Sequence, residues 1–288
     1  MLIAEVLAKW NAHRLRMMEL GLIAAPTYLN QEEITRILDR HLGTIELDEL
    51  RKGHVEIYIG VRKPTCAPVT IAGEIAVLRQ FLNWCLDEQL LVTKPRLPTV
   101  QVPLTDDVLP PDVAFIWVLT RIHRRAGEAL EFMMLTGLSP HELERVQVQD
   151  ATPYHRLGIG MRDDFPVKTP SRKRWVPLNA TAELIWFAAA AGRNPTAHPF
   201  PSRDALEKAI QRLRTDDDAP IGVDQITPKM MRKWFSSKLS SEGEGRAAVP
   251  EHVLQRLLGH APGSKVTRRH YVRSQDEQLV DAVNWVST

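Results

Sequence analysis

The sequence predicts a mainly α chain with a small β-sheet set into its second half. Three observations carry that expectation. The stretch Ile71 to Leu91, IAGEIAVLRQFLNWCLDEQLL, puts Leu78, Phe81, Leu82, Cys85 and Leu86 on one helical face and turns Arg79, Asn83 and Asp87 elsewhere. Lys94 to Pro111 then carries Pro95, Pro98, Pro103, Pro110 and Pro111. Proline removes a backbone donor and disfavours helix in the residue before it, so this segment reads as an extended linker. Finally, HRLGIGMRDDFPVKTPSRKRWVPLN, from His155 to Asn179, has short β-compatible runs broken by Pro166, Pro170 and Pro177. It reads as a strand followed by a hairpin turning near Pro170 to Lys173.

The remaining elements follow in order. Ala4 to Leu20 spaces Val6, Leu7, Trp10, Leu15 and Met18 as a helix does. Asn30-Gln31-Glu32-Glu33 has the form of a capping box opening a helix through Leu38, and a third helix is expected over Leu47 to Ile59. Past the linker, Asp112 to Leu138 and Ser139 to Val148 read as helices. So do Ala180 to Ala191, Arg203 to Arg214, Pro228 to Ser240 and Pro250 to Leu258. The expected organisation is a helical domain over 1–94, a linker over 95–111 and an α+β domain over 112–288.

Composition narrows the class. A hydrophobic share of 44% and a charged share of 25% allow each domain its own core. The net charge of +2 is too small to demand an acidic partner, so charge distribution carries the information. Arg172-Lys173-Arg174, Arg268-Arg269 and Arg273 are basic clusters, and Asp216-Asp217-Asp218 is an acidic one. Cys66 and Cys85 alone exclude a disulfide framework and a cysteine-rich zinc site. No apolar run is long enough to span a bilayer, and the mixed charges of the first twenty residues do not form a secretory signal. The expected compartment is the cytoplasm.

Four segments of the second half hold candidate chemistry. In LTGLSPHELER, Gly137 suits a left-handed helix end, while Ser139, Pro140 and Glu142 form an N-cap, a first-turn proline and a capping-box partner. In ITPKMMRKWF, Lys229 and Arg232 lie three apart near a helix start, where backbone donors and two cations suit an anion such as phosphate. In VLQRLLGH, a short helix ends at Gly259 and His260 follows. In KVTRRHYVR, Tyr271 stands among Arg268, Arg269, His270 and Arg273, surroundings that favour the phenolate and suit a nucleophile.

These segments together resemble the tyrosine recombinases, the phage-integrase family. LLGHAPGSKVTRRHY is similar to the family's Leu-Gly-His box followed by the nucleophilic tyrosine. ITPKMMRKWFSS resembles its helix bearing a His or Lys, two residues and an Arg. PVKTPSRKRWVPLN resembles the hairpin with the catalytic lysine. MLTGLSPHELERVQVQD resembles the block holding the first catalytic arginine, and LRQFLNWCLDEQLLVTKPRLP the end of the helical core-binding domain. The resemblance runs from about Ile71 to Val272. It implies a core-binding domain and a catalytic domain clamping duplex DNA, and strand transfer through a 3′-phosphotyrosine with no metal or other cofactor.

Carried over residue by residue, it implies Tyr271 as nucleophile, Lys168 as general acid and Arg232 as phosphate clamp. Lys229 takes the His-or-Lys position, and His260 donates to the phosphate or assists proton transfer. Arg172, Lys173, Arg174, Arg268, Arg269 and Arg273 are the expected DNA-binding residues. The implied assembly is a homotetramer on DNA or a mixed complex with a related recombinase.

One position departs from the pattern: Ser139 stands where the family has its first catalytic arginine. Serine supplies no planar, permanent cation. Three accounts stay open: a weakened or inactive protein that still binds DNA, another cation (Arg145, or one of Arg121, Arg124 and Arg125) reaching the phosphate, or a charge given by a partner subunit. The tail, Gln275 to Thr288, has an apolar helical face. It is read either as packing on its own domain or, by the resemblance, as a helix passed to a neighbour.

Overall fold

The computed structural model describes residues 1–103, 109–165, 167, 169–241, 247–260, 282–284 and 286. The chain divides into two compact units, Met1–Asp106 and Asp107–Thr288.

Four helices build the first unit: α1 (Ile3–Glu19), α2 (Ala25–Leu42), α3 (Lys52–Arg62) and α4 (Pro68–Asp87). On α1, Ile3, Val6, Leu7 and Trp10 recur at helical spacing and are buried. Trp10 meets Phe81 of α4 edge to face at 5.8 Å. The helix α2 starts before the expected capping box, with Pro26 in its first turn, so Asn30 to Glu33 lie inside it. Gln31 points inward there, accepting from Arg14 Nε at 2.8 Å and donating to Gln80 at 2.9 Å. The third expected helix is interrupted. A 3₁₀ turn at Leu47–Glu49 precedes α3 because Leu50 takes an extended conformation. Leu97 and Val100, within the proline-rich segment, pack against this core.

A buried polar joint ties α3 to α4. The carboxylate of Glu74 accepts from Tyr58 Oη at 2.6 Å and from Arg62 Nε at 3.1 Å. Glu74 is buried, yet the Arg62 and Tyr58 bonds hold its carboxyl below the usual range against the opposing effect of burial. Glu74→Ala strands both partners and is expected to lower stability by about 2–3 kcal/mol, read as a shift in urea midpoint at unchanged slope.

The second unit has α5 (Asp112–Arg121), α6 (Arg124–Thr136), α7 (Pro140–Arg145), β1 (Ala151–Thr152), β2 (Arg156–Ile159), β3 (Arg174–Pro177), α8 (Ala180–Ala190), α9 (Arg203–Leu213), α10 (Pro228–Ser240) and α11 (Glu251–Leu258). The single helix expected over Asp112 to Leu138 breaks at Ile122, which is extended, and His123 caps α6. From Ala126 to Thr136, α6 is buried almost all round, with α5, α8, α9 and α10 packed on it. Phe132 of α6, Trp186 of α8 and Phe200 form an aromatic cluster with centroids 4.8–5.9 Å apart.

The sheet is antiparallel in the order β1-β2-β3. It differs from the expected strand and hairpin. The tight turn joins β1 to β2 at Pro153–His155, and a 3₁₀ turn, Pro170–Arg172, leads into β3. The register pairs Ile159 with Arg174 and Leu157 with Val176. Ala282, Val283 and Val286 of the tail are buried in this unit's own core. Asn179, the N-cap of α8, donates to the carbonyls of Val283 at 3.1 Å and Val286 at 3.0 Å. The described tail residues thus pack on their own unit. Among the described residues, no helix is long and apolar enough to cross a membrane.

Candidate functional site

The site grows from the junction of α6 and α7. Gly137 ends α6 with φ +67°, a conformation that favours glycine. A Cβ there would lie 2.6 Å from the Phe235 ring of α10, so glycine also permits the close approach of that helix. Ser139 then caps α7. Its Oγ accepts from Glu142 N–H at 3.3 Å, and Ser139 N–H donates to Glu142 Oε2 at 2.8 Å. The expected capping box is therefore present, and it fixes the Glu142 carboxylate beside Ser139.

Three arginines converge on that carboxylate. Arg174 donates from Nη1 to Oε1 at 2.8 Å and from Nη2 to Oε2 at 3.3 Å. Arg232 donates from Nη1 to Oε2 at 3.1 Å. Arg172 Nη1 stands 3.7 Å from Oε1. Each comes from a different neighbourhood: Arg232 from α10, Arg174 from β3, and Arg172 from the turn before β3. Alternation along β3 sends Arg174 and Val176 inward and Trp175 outward.

The helix ends supply the other partners. Arg232 donates to Gly137 O at 2.8 Å, to Leu258 O, and from Nη2 to His260 Nε2 at 3.3 Å. Arg174 Nε donates to Leu257 O at 2.6 Å. Carbonyls at the C-terminal ends of α6 and α11 are natural acceptors for cations. Gly259 closes α11 with φ +63°, and a Cβ on it would lie 2.8 Å from Arg174 Nη1 and 3.0 Å from Arg172 Cα. The glycine of the Leu-Gly-His segment is thus required twice, for its conformation and for the arginines packed on it.

Electrostatics follow from this arrangement. Burial opposes the charged form of Glu142, but Arg174, Arg232 and the Ser139 N–H outweigh it and hold the carboxyl at about 2. Burial pushes the Arg232 guanidinium down to about 10, which leaves it charged at neutral pH. His260 is held below its ordinary value by burial, then by Arg232, Arg172 and Arg174. Because arginine only donates, the bond from Arg232 makes His260 Nε2 the acceptor, and the imidazole carries its proton on Nδ1. Three guanidiniums face one carboxylate, so the cluster keeps a surplus of positive charge that suits an anion.

Of the residues expected from the sequence, the structure brings together Arg232, His260, Arg172, Arg174 and Ser139. Arg174, expected to contact DNA, is buried with its fork committed to Glu142 and Leu257. Lys173 and Lys229 are exposed and do not join the groups on Glu142. Thr227 precedes α10 without a side-chain cap bond. Lys168, Arg268, Arg269, Tyr271 and Arg273 lie outside the described residues. Arg121 pairs with Asp216 at 3.8 Å and lies over Trp117, Arg124 pairs with Glu128 at 2.7 Å, and Arg125 lines a separate cavity with Arg193. Glu142 was legible only as a capping residue. Its role as the hub of an arginine cluster had no separate signal.

A lambda integrase dimer bound to a COC′ core site superimposes with a TM-score of 0.71 at 11% identity, over 95% of this chain and 100% of that one. The fold is that of lambda integrase. The Tn1549 transposon integrase, in complex with circular intermediate DNA, shares the integrase fold at a TM-score of 0.64 and 17% identity, over 91% of this chain and 92% of that one. In sequence, the chain is similar to a tyrosine recombinase XerC from Erythrobacter litoralis (strain HTCC2594), at 28% identity over 243 residues covering 76% of this chain and 72% of that protein. No family model matches the chain. On this integrase fold, the segments around Gly137, Arg174, Arg232 and His260 meet at one carboxylate.

Proposed function

We propose that the chain is a site-specific DNA recombinase or integrase acting through a 3′-phosphotyrosine. The observation that carries this reading is the convergence of Arg172, Arg174, Arg232 and His260 at the α6–α7 junction, with its surplus of positive charge. The similarity to a tyrosine recombinase and the integrase fold support it.

The chemistry conserves bonds. The Tyr271 oxygen forms a bond to the scissile phosphorus, and the bond from phosphorus to the 5′-oxygen breaks. The electron pair leaves with that oxygen, which takes a proton, while the phenol gives one up. The phosphate stays a diester, so attack by a 5′-hydroxyl reverses the step and rejoins strands. Arg232 opposes charge growing on the non-bridging oxygens. Its bond to the phosphate replaces the one to His260, whose Nδ1–H then serves as a second donor once the ring turns. Lys168 protonates the leaving oxygen. The unit ahead of the proline-rich segment clamps the duplex with the catalytic unit, and strand exchange pairs protomers into a tetramer or a mixed assembly with a related recombinase.

The test uses 5′-labelled, nicked duplexes with randomised sequence on both sides of the nick. The wild-type chain is expected to form a covalent adduct stable to denaturation, and Tyr271→Phe is expected to form none. Binding without adduct would identify a DNA-binding protein on the integrase fold and overturn the enzymatic reading.

A further inference from the structure

The three arginines on Glu142 are not equivalent. The Arg174 side chain is 4% exposed and all three of its nitrogens have protein acceptors. The Arg232 side chain is 12% exposed, with both Nη atoms bonded within the protein. The Arg172 side chain is 31% exposed. Among the described residues its guanidinium has one ionic partner, Glu142 Oε1 at 3.7 Å, beyond hydrogen-bond reach. A guanidinium carries five donors in a fixed fork, and among the described residues no acceptor takes a hydrogen bond from the Arg172 fork. Arg174 Nη1 donates to the Arg172 carbonyl at 3.2 Å, which fixes the backbone from which that fork projects.

The place it occupies is specific. The carboxylate it faces is the one bonded to Ser139 N–H, so Arg172 stands one carboxylate away from the serine that breaks the catalytic pattern. Its charge is felt at both His260 and Arg232, whose protonated forms it disfavours. Arg121 and Arg124 pair elsewhere, Arg125 lines another cavity, and Arg145 is exposed at the end of α7, where its carbonyl accepts from Arg162 at 3.1 Å.

We infer that Arg172 meets the scissile phosphate in the place of the arginine missing at Ser139, so that the 3₁₀ turn before β3 supplies the second clamp beside Arg232. This rests on the strand-transfer reading. With Arg232 on one side of the phosphate and Arg172 on the other, the cationic site is complete within one chain. Neither a partner subunit nor an inactive site is then needed to account for the serine.

The probe is the duplex that the wild-type chain captures covalently from the randomised nicked pool. Arg172→Ala is expected to slow single-turnover adduct formation, measured with the duplex fully bound, by about 10²–10³-fold, a loss larger than the accompanying loss of affinity for the uncleaved duplex. Its melting temperature should stay within a few degrees, since the side chain is part-exposed and makes no hydrogen bond among the described residues. Arg172→Lys should recover little, because a point charge does not replace the fork. Ser139→Arg added to Arg172→Ala should restore at least about tenfold of the lost rate, a rescue that a merely structural arginine would not allow. An Arg172→Ala rate within about threefold of wild type overturns the inference. So does a loss left unrescued by a double variant that melts with the single one. Absence of any adduct from the wild-type chain overturns the underlying enzymatic reading instead.

Discussion

Glu142→Ala is expected to lower the stability of the chain by about 3–5 kcal/mol, the range for removing one member of a buried charge network. Its carboxylate is 5% exposed and faces Arg174 and Arg232 directly, with Arg172 behind. Removal leaves three cations repelling one another around a void and also breaks the cap bond to Ser139 N–H. Glu142→Gln keeps shape and cap geometry, and isolates the loss of charge. The pH dependence has a definite sign. The folded carboxyl titrates at about 2, below its ordinary 4.5, so the stabilisation is fully present above about 4.5. It is lost as pH falls toward 2, because the unfolded chain takes up the proton first. The shift corresponds to about 3 kcal/mol at neutral pH. Urea midpoints of wild type and Glu142→Gln should differ at pH 7 and converge toward pH 2.5. Parallel curves across that window would contradict the role given to this carboxylate.

If the chain transfers strands as proposed, Arg232→Ala is expected to slow covalent adduct formation by about 10²–10³-fold or more, since the proposed phosphate clamp is lost. It also removes the clamp joining the ends of α6 and α11, with bonds to Gly137 O and Leu258 O. Activity and stability therefore fall together in this variant and do not separate. Arg232→Lys separates them. Lysine keeps the charge beside Glu142 but not the two-pronged geometry. Its melting temperature should fall by less than that of Arg232→Ala, while the single-turnover cleavage rate stays depressed by about two orders of magnitude. Near-normal cleavage by Arg232→Lys would show that charge alone suffices and that the fork is not the operative feature.

Most helices were legible because their signals are local. Pro228 to Ser240 reads correctly from its first-turn proline and periodic apolar face, and Ser139 to Glu142 from a capping box that the structure contains. Where sequence reading failed, a local signal met a stronger neighbour. Asn30 to Glu33 has the form of a cap, but Pro26 starts α2 earlier and tertiary burial of Gln31 places the segment inside the helix. Ile122 breaks a helix that periodicity alone continues. At the site, the motifs pick out segments that the fold brings together at Glu142, but not which side chains share an acceptor. Arg172 and Arg174 are indistinguishable in the run Arg-Lys-Arg. Strand alternation and the end of α11 then bury one and leave the other part-exposed.

The Ser139–Glu142 cap also bears on how such a site changes over generations. Arginine placed at 139 gives up a side-chain cap of about 1 kcal/mol. It also places a fourth cation around a carboxylate that already faces three. An arginine at 139 therefore comes with a less stable protein unless residue 172 yields its charge at the same time. Serine at 139 and arginine at 172 thus hold each other in place, as a ratchet does. Among related sequences, arginine is expected at 139 or at 172 but seldom at both, which an alignment of relatives would check.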